Sequence, residues 1–175
     1  LKNVKLYHSV DLTGQTVAVI GGGNTAIDSA RPAIRLGASH VMILYRRTRD
    51  AMPASDLEVK EALEEGIELR ELVSPVRFVS DKDGHTARIE GVRRIMSNFD
   101  NKGRRNTRHI EGSNFFIDVN CVITAVSQYA DLPFIKSADI GRTPWGTFIV
   151  DKDTMMTTMP GVFAGASIVF IWAFT

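Results

Sequence analysis

The chain has 175 residues, 44% hydrophobic and 23% charged, with 21 lysines and arginines against 20 acidic residues and a net charge of +1. That length suits about one domain, and the balance excludes the basic excess of a dedicated nucleic-acid or membrane-surface binder. The lone cysteine, Cys121, excludes an internal disulfide framework, a cysteine zinc site and a C-x-x-C redox pair.

The first residues, LKNVKLYHSVDL, carry mixed charge and read as a lead-in, followed by a turn at Thr13-Gly14. Thr16 to Ile20 (TVAVI) is a short β-branched apolar run, the profile of a strand buried on both faces of a parallel sheet. It breaks into Gly21-Gly22-Gly23-Asn24-Thr25-Ala26. Ala26, Ile27, Ala30, Ala33 and Ile34 then follow at helical spacing, with Gly37 as the stop. Pro32 lies inside that helix, where it removes a hydrogen bond and is expected to kink it. His40 to Tyr45 (HVMILY) is a second buried-type strand, completing a βαβ unit of about thirty residues.

Pro53 and the sequence Ser55-Asp56-Leu57-Glu58 announce another helix through a capping box. Val59, Ala62 and Leu63 give it an apolar face, and Gly66 closes it. Ile67 to Leu72 alternates apolar and charged residues and reads as a half-exposed strand. Val76 to Ser80, the turn at Asp81-Lys82-Asp83-Gly84 and Ala87 to Met96 form an antiparallel hairpin. A second turn, Asn101 to Arg105, returns through Phe115 to Asp118, and Asn120 to Val126 is again a buried strand. The expected fold is α/β: a Rossmann-like doubly wound parallel sheet with an antiparallel β-meander inserted before its last strand.

The strand–GGGNTA–helix passage fits G-x-G-x-x-A through Gly21, Gly23 and Ala26. Gly21 permits the tight turn, Gly23 lets a pyrophosphate reach the backbone, and Ala26 keeps the helix close to the sheet. The helix N-terminus then offers unpaired N–H groups and the positive end of its dipole to phosphates. The end of the second strand selects the coenzyme. NAD units place an acid there for the ribose hydroxyls, whereas NADP units supply arginine for the 2′-phosphate. Here Tyr45-Arg46-Arg47-Thr48-Arg49 precedes any acid, and planar guanidinium groups suit a phosphate. NADP(H) is therefore the expected ligand.

VIGGGNTAID, LYRR, MPAS with its following Glu-rich helix, Gly103-Arg104-Arg105, VITAVSQ and the closing Met159-Pro160-Gly161-Val162-Phe163-Ala164-Gly165 stand here in one order. As a set they resemble the NADPH-binding domain of the glutamate synthase small-subunit group. These are two-dinucleotide-fold flavoproteins related to the reductase half of dihydropyrimidine dehydrogenase. The resemblance covers about residues 4–165. It implies a lead-in from a flanking FAD domain over 1–12 and an NADP(H)-binding domain over 13–160. Residues 161–175 would begin the return to the FAD domain, with an atypical apolar tail. It further implies that Gly22 to Ala26, through Asn24 and Thr25, hold the pyrophosphate, that Arg46 and Arg47 hold the 2′-phosphate, and that Ala125, Val126 and Ser127 lie near the nicotinamide. The implied partners are the FAD domain of the parent chain and an iron–sulfur or glutamate synthase large-subunit-type protein.

The chain departs from the group's pattern at several places. Gly165-Ala166-Ser167 stands where the group reads Gly-Gly-Asp, so the acid expected to touch flavin is missing, and Ser127 replaces a usual glycine. The tail Ile168 to Thr175 does not resemble the group's helical continuation. FAD is expected in the parent protein rather than on this chain, which is expected to be inactive alone. Leu1 in place of Met marks the chain as a fragment in this reading.

Other candidates read as structural. His8, His40, His85 and His109 share no metal-ligand spacing with one another or with Cys121. Cys121 reads as an inert core thiol. Asp28, Asp56, Glu58 and Glu61 read as capping or solvated residues, and the basic hairpin (Arg93, Arg94, Lys102, Arg104, Arg105, Arg108) as a solvated ribbon. No apolar run approaches the roughly 18 residues that span a bilayer, and a cytoplasmic setting is expected. The expected function is to present NADPH to the flavin of an oxidoreductase, with no catalytic side chain and no metal. Two alternatives stay open: the NADP domain of a ferredoxin–NADP reductase or transhydrogenase-type flavoprotein, and a non-enzymatic NADP(H)-sensing module.

Overall fold

The computed structural model describes residues 10–99, 105–126, 140–144, 146–165 and 169–170. The chain divides into two compact units, Leu1–Val126 and Ser127–Thr175. In the first, the described elements run β1 (Thr16–Ile20), α1 (Asn24–Arg35), β2 (His40–Leu44), α2 (Asp56–Glu64), β3 (Glu68–Arg70), β4 (Val73–Ser80), β5 (Thr86–Phe99), β6 (Arg105–Asp118) and β7 (Cys121–Thr124). In the second, β8 (Phe148–Ile149) pairs in parallel with β9 (Val169–Phe170).

The expected parallel sheet forms in the order β3-β2-β1-β7, and β4-β5-β6 make the antiparallel meander. Alternation along β1 and β2 explains why both strands are apolar at every inner position. Val17, Val19, Val41 and Ile43 face α1 and α2, meeting Ala26, Ile27, Ala30, Ala33, Val59 and Ala62. Ala18, Ile20, Met42 and Leu44 point the other way, onto Val73, Ile89, Ile117 and Val119. The meander thus covers the second face of the sheet, giving layers of helices, parallel sheet and antiparallel sheet. Ile89 is fully buried at this junction, whereas Val76 on β4 is 60% exposed. Ile89→Ala is expected to cost about 2–5 kcal/mol by leaving a cavity. Val76→Ala should stay within about 0.5 kcal/mol. Denaturant unfolding of both variants checks this; equal losses would mean that the meander is not packed on the sheet.

Both helices end alike. Gly37 N–H donates to the Ile34 carbonyl and Ala38 N–H to that of Ala33. In α2, Gly66 N–H donates to Leu63 and Ile67 N–H to Ala62. These are the paired bonds of a Schellman closure. Helix α1 is continuous through Pro32. The capping box of α2 is not made: Ser55 is its N-cap but gives no side-chain bond. Its N–H, the group that Glu58 was expected to reach, is instead held by Asn24 Oδ1 at 3.1 Å. Glu58 Oε2 is left buried without a partner. The alternating segment expected over Ile67 to Leu72 pairs only at Glu68–Arg70. It ends there because Leu72, at φ 54°, turns the chain out of the parallel sheet. Leu72 N–H then donates to the Arg47 carbonyl, and its own carbonyl accepts from Arg94 N–H.

The second unit buries Ile140, Phe148 and Thr157. Asp151 caps its turn, accepting from the N–H groups of Asp153 and Thr154 and from the Thr154 hydroxyl. The Thr154 and Asp153 bonds hold its carboxyl below the usual range. The expected turn residues 101–104, most of the lead-in and most of the apolar tail lie outside the described residues. No helix among the described residues is long and apolar enough to cross a membrane.

Candidate functional site

The three glycines after β1 differ in what they need. Gly21 sits at φ +151°, and a Cβ there would collide with the Ala125 carbonyl. Gly22 is buried with the Tyr45 ring against it, so a Cβ would run into that ring. Gly23 has an ordinary extended backbone, φ −92° and ψ 175°, as the N-cap of α1. A Cβ on it would meet only Pro53 Cγ, at 3.9 Å. The fold therefore explains the first two glycines, while the space in front of the third is unfilled by protein.

Gly23 opens a helix whose first turn contains no acid and no side-chain cap. Its carbonyl accepts from Ala26 and Ile27. The N–H groups of Asn24 and Thr25 belong to the first turn, which has no intrahelical acceptors for them; both residues are exposed. Ala26 is fully buried against the sheet, the close approach expected of it.

The chain after β2 is stitched to this loop. Ala54 N–H donates to the Gly22 carbonyl at 3.1 Å. Buried Tyr45 donates its hydroxyl to the Ala51 carbonyl at 2.6 Å. The Asn24 amide oxygen holds Ser55, so Asn24 orders the loop through its side chain. Tyr45, Asn24 and Ser55 act together here across a sequence separation that motif reading does not span.

Arg46 is exposed and Arg47 half-buried. Arg47 Nε donates to the Arg105 carbonyl at 2.9 Å, which turns this arginine toward the meander. Arg94 is half-buried, donating to the Thr107 hydroxyl and carbonyl at 2.8 Å. Burial, and then the neighbouring Arg46 charge, lower its pKa from the ordinary arginine value. Among the described residues none of Arg46, Arg47, Arg94 and Arg105 has a carboxylate at ion-pair distance. A cleft of about 340 Å³ lies between the two segments. Arg47, Asp50 and Ala51 line it from the β2 side. Met96, Phe99 and Arg105 line it from the meander. Arg93, Arg105 and Arg108 are exposed, as a solvated ribbon implies, whereas Arg94 is half-buried with Arg46 nearby and the Arg105 carbonyl accepts from Arg47.

Ala125 and Val126 stand at the end of β7 beside Gly21, with Ala125 N–H donating to Ile20 at 2.8 Å. Val126 is 59% exposed, and Ser127 lies outside the described residues. Cys121 is half-buried, and burial pushes its thiol up, as befits an inert core residue. His40 Nε2 pairs with Glu68 at 2.8 Å. No cluster of His, Cys, Asp and Glu suited to a metal occurs among the described residues. What the arrangement offers is backbone donors at a helix start, arginines beyond the next strand and a cleft that Arg47 shares with the meander.

The chain is 41% identical to the beta subunit of the NADP(+)-dependent formate dehydrogenase of Moorella thermoacetica, over 97% of this chain and 24% of that protein. It is also 41% identical to the small chain of glutamate synthase [NADPH] of Azospirillum brasilense, over 94% of this chain and 35% of that one. It therefore spans about a quarter to a third of these curated relatives. A thioredoxin reductase of T. acidophilum shares the fold with a TM-score of 0.71 at 19% identity, over 91% of this chain and 46% of its own. FprA of Mycobacterium tuberculosis, in a structure with NADPH, reaches 0.61 at 17% identity, over 85% of this chain and 45% of its own. The family model for pyridine nucleotide-disulphide oxidoreductases matches residues 2–172, and the chain belongs to that family.

Proposed function

We propose that this chain is the NADP(H)-binding domain of a larger flavoprotein oxidoreductase of the glutamate synthase small-chain kind. Gly23 carries the reading. It is a glycine with no conformational or packing need to be one, at the start of a helix with free donors, and only Pro53 Cγ stands within 4 Å of where its side chain would begin, which supports a phosphate's approach there.

On this reading Gly22 to Ala26 hold the pyrophosphate, with Gly21 and Ala125 closing the turn beneath it. Arg46 and Arg47 take the 2′-phosphate, replacing the water that this group gives up. Ala125, Val126 and Ser127 border the nicotinamide. Bound NADPH would supply the hydride, and an FAD held outside this chain would accept it. This chain's own residues bind and orient; no side chain here holds or moves a proton. Residues 1–12 and 161–175 would connect to the flavin domain, and the remaining electron-transfer partner would be a separate subunit or domain. The two curated relatives above are themselves named as a subunit and a small chain.

Amide hydrogen exchange with and without NADP+ tests the placement. Exchange should slow at residues 21–26 and 46–51 on adding NADP+. Slowing confined to other segments, or none, would remove the assignment.

A further inference from the structure

Arg47 after β2 lines one wall of the cleft, and Phe99 and Arg105 on the meander line the other. Arg47 spends one nitrogen on the Arg105 carbonyl, so the hairpin backbone sets its direction and leaves its two terminal amino groups for a ligand. Arg94 is held by neutral groups only, Thr107 and Ser74, with Arg46 close by. Phe99 is 65% exposed, and the Arg105 guanidinium lies 5.5 Å over its ring. An exposed ring beside an arginine at a cleft mouth is a platform for a planar base. The 340 Å³ cleft is within the roughly 300–1,000 Å³ of small-molecule sites.

We infer that the Phe99–Arg105 pair at the end of the β5–β6 ladder completes the adenosine end of the site, Phe99 stacking on the adenine and Arg105 joining Arg47 on the 2′-phosphate. This rests on the reading of the chain as an NADP(H) domain. It makes the β5–β6 hairpin a specificity element as well as a cover for the sheet.

The test uses the full 175-residue chain and two ligands that lack nicotinamide, adenosine 2′,5′-bisphosphate and ADP. Phe99→Ala should weaken both by a similar factor, roughly 5- to 100-fold, since stacking is common to them. Phe99→Leu, which keeps the apolar bulk but not the ring, should lose nearly as much. Arg105→Ala should weaken the bisphosphate roughly 10- to 100-fold and leave ADP within about 2-fold. Arg105→Lys should recover part of the loss. If wild type binds the bisphosphate and every variant binds both ligands as it does, the hairpin has no such role, and the NADP(H) reading still stands. Equal loss of both ligands in Arg105→Ala overturns its phosphate assignment. If wild type binds neither ligand nor NADP+, the underlying reading falls, and this inference with it.

Discussion

Valine in place of Gly23 should abolish dinucleotide binding while the fold survives. The backbone there is extended, φ −92°, a conformation any residue adopts. Only Pro53 Cγ, at 3.9 Å, stands near the position of a new Cβ. A branched side chain would therefore fill the volume in front of the Asn24 and Thr25 N–H groups without disturbing protein. Steric exclusion of the pyrophosphate should weaken NADP+ by more than about 100-fold. Gly22→Val supplies the contrast. Its side chain would strike the Tyr45 ring, and Tyr45 ties the loop through Ala51, so this variant should lose stability before it loses affinity. Calorimetric titration with a thermal melt separates the two. Unchanged NADP+ affinity in Gly23→Val would make GGGNTA a structural turn only.

The arginine variants should change coenzyme choice instead. NADP+ differs from NAD+ by a phosphate carrying about −1.5 to −2 at neutral pH. A charged hydrogen bond contributes roughly 1.5–3 kcal/mol, so Arg46→Ala or Arg47→Ala should weaken NADP+ roughly 10- to 100-fold. NAD+ should change little. Arg47→Ala carries a second consequence, because it also frees the Arg105 carbonyl. Titrating both coenzymes into each variant decides the matter. Equal loss of NAD+ and NADP+ would assign these arginines to something other than the 2′-phosphate.

The parts of the fold legible in the sequence were those set by local pattern. TVAVI and HVMILY read as buried strands because alternate residues of Thr16–Ile20 and His40–Leu44 enter two different cores. The helices ended where Gly37 and Gly66 were read, because their closing bonds are local. The capping box failed for a tertiary reason: Asn24, 31 positions earlier, holds the Ser55 N–H. Leu72 gave no local sign of its positive φ, a turn supported by bonds to Arg47 and Arg94 from separate segments.

In the proposed site, the glycine loop and Arg46-Arg47 are legible as motifs because strand, turn and helix are contiguous. The open space at Gly23, which separates it from Gly21 and Gly22, is a property of three dimensions only. The hairpin side of the cleft was equally hidden. It depends on a register that pairs Phe99 with Arg105 and on Arg47 reaching across to the same strand. Charge counting alone does not distinguish Arg94, half-buried with Arg46 nearby, from the exposed arginines of the same ribbon.

On the proposed function this chain binds NADP(H) in preference to NAD(H). Titration calorimetry of the wild-type chain with NADP+ and NAD+, at low and raised salt, tests it most directly. NADP+ should bind saturably and one-to-one, more tightly than NAD+, with the gap narrowing as salt screens the arginines. Tighter binding of NAD+, or no saturable binding of either, would contradict it.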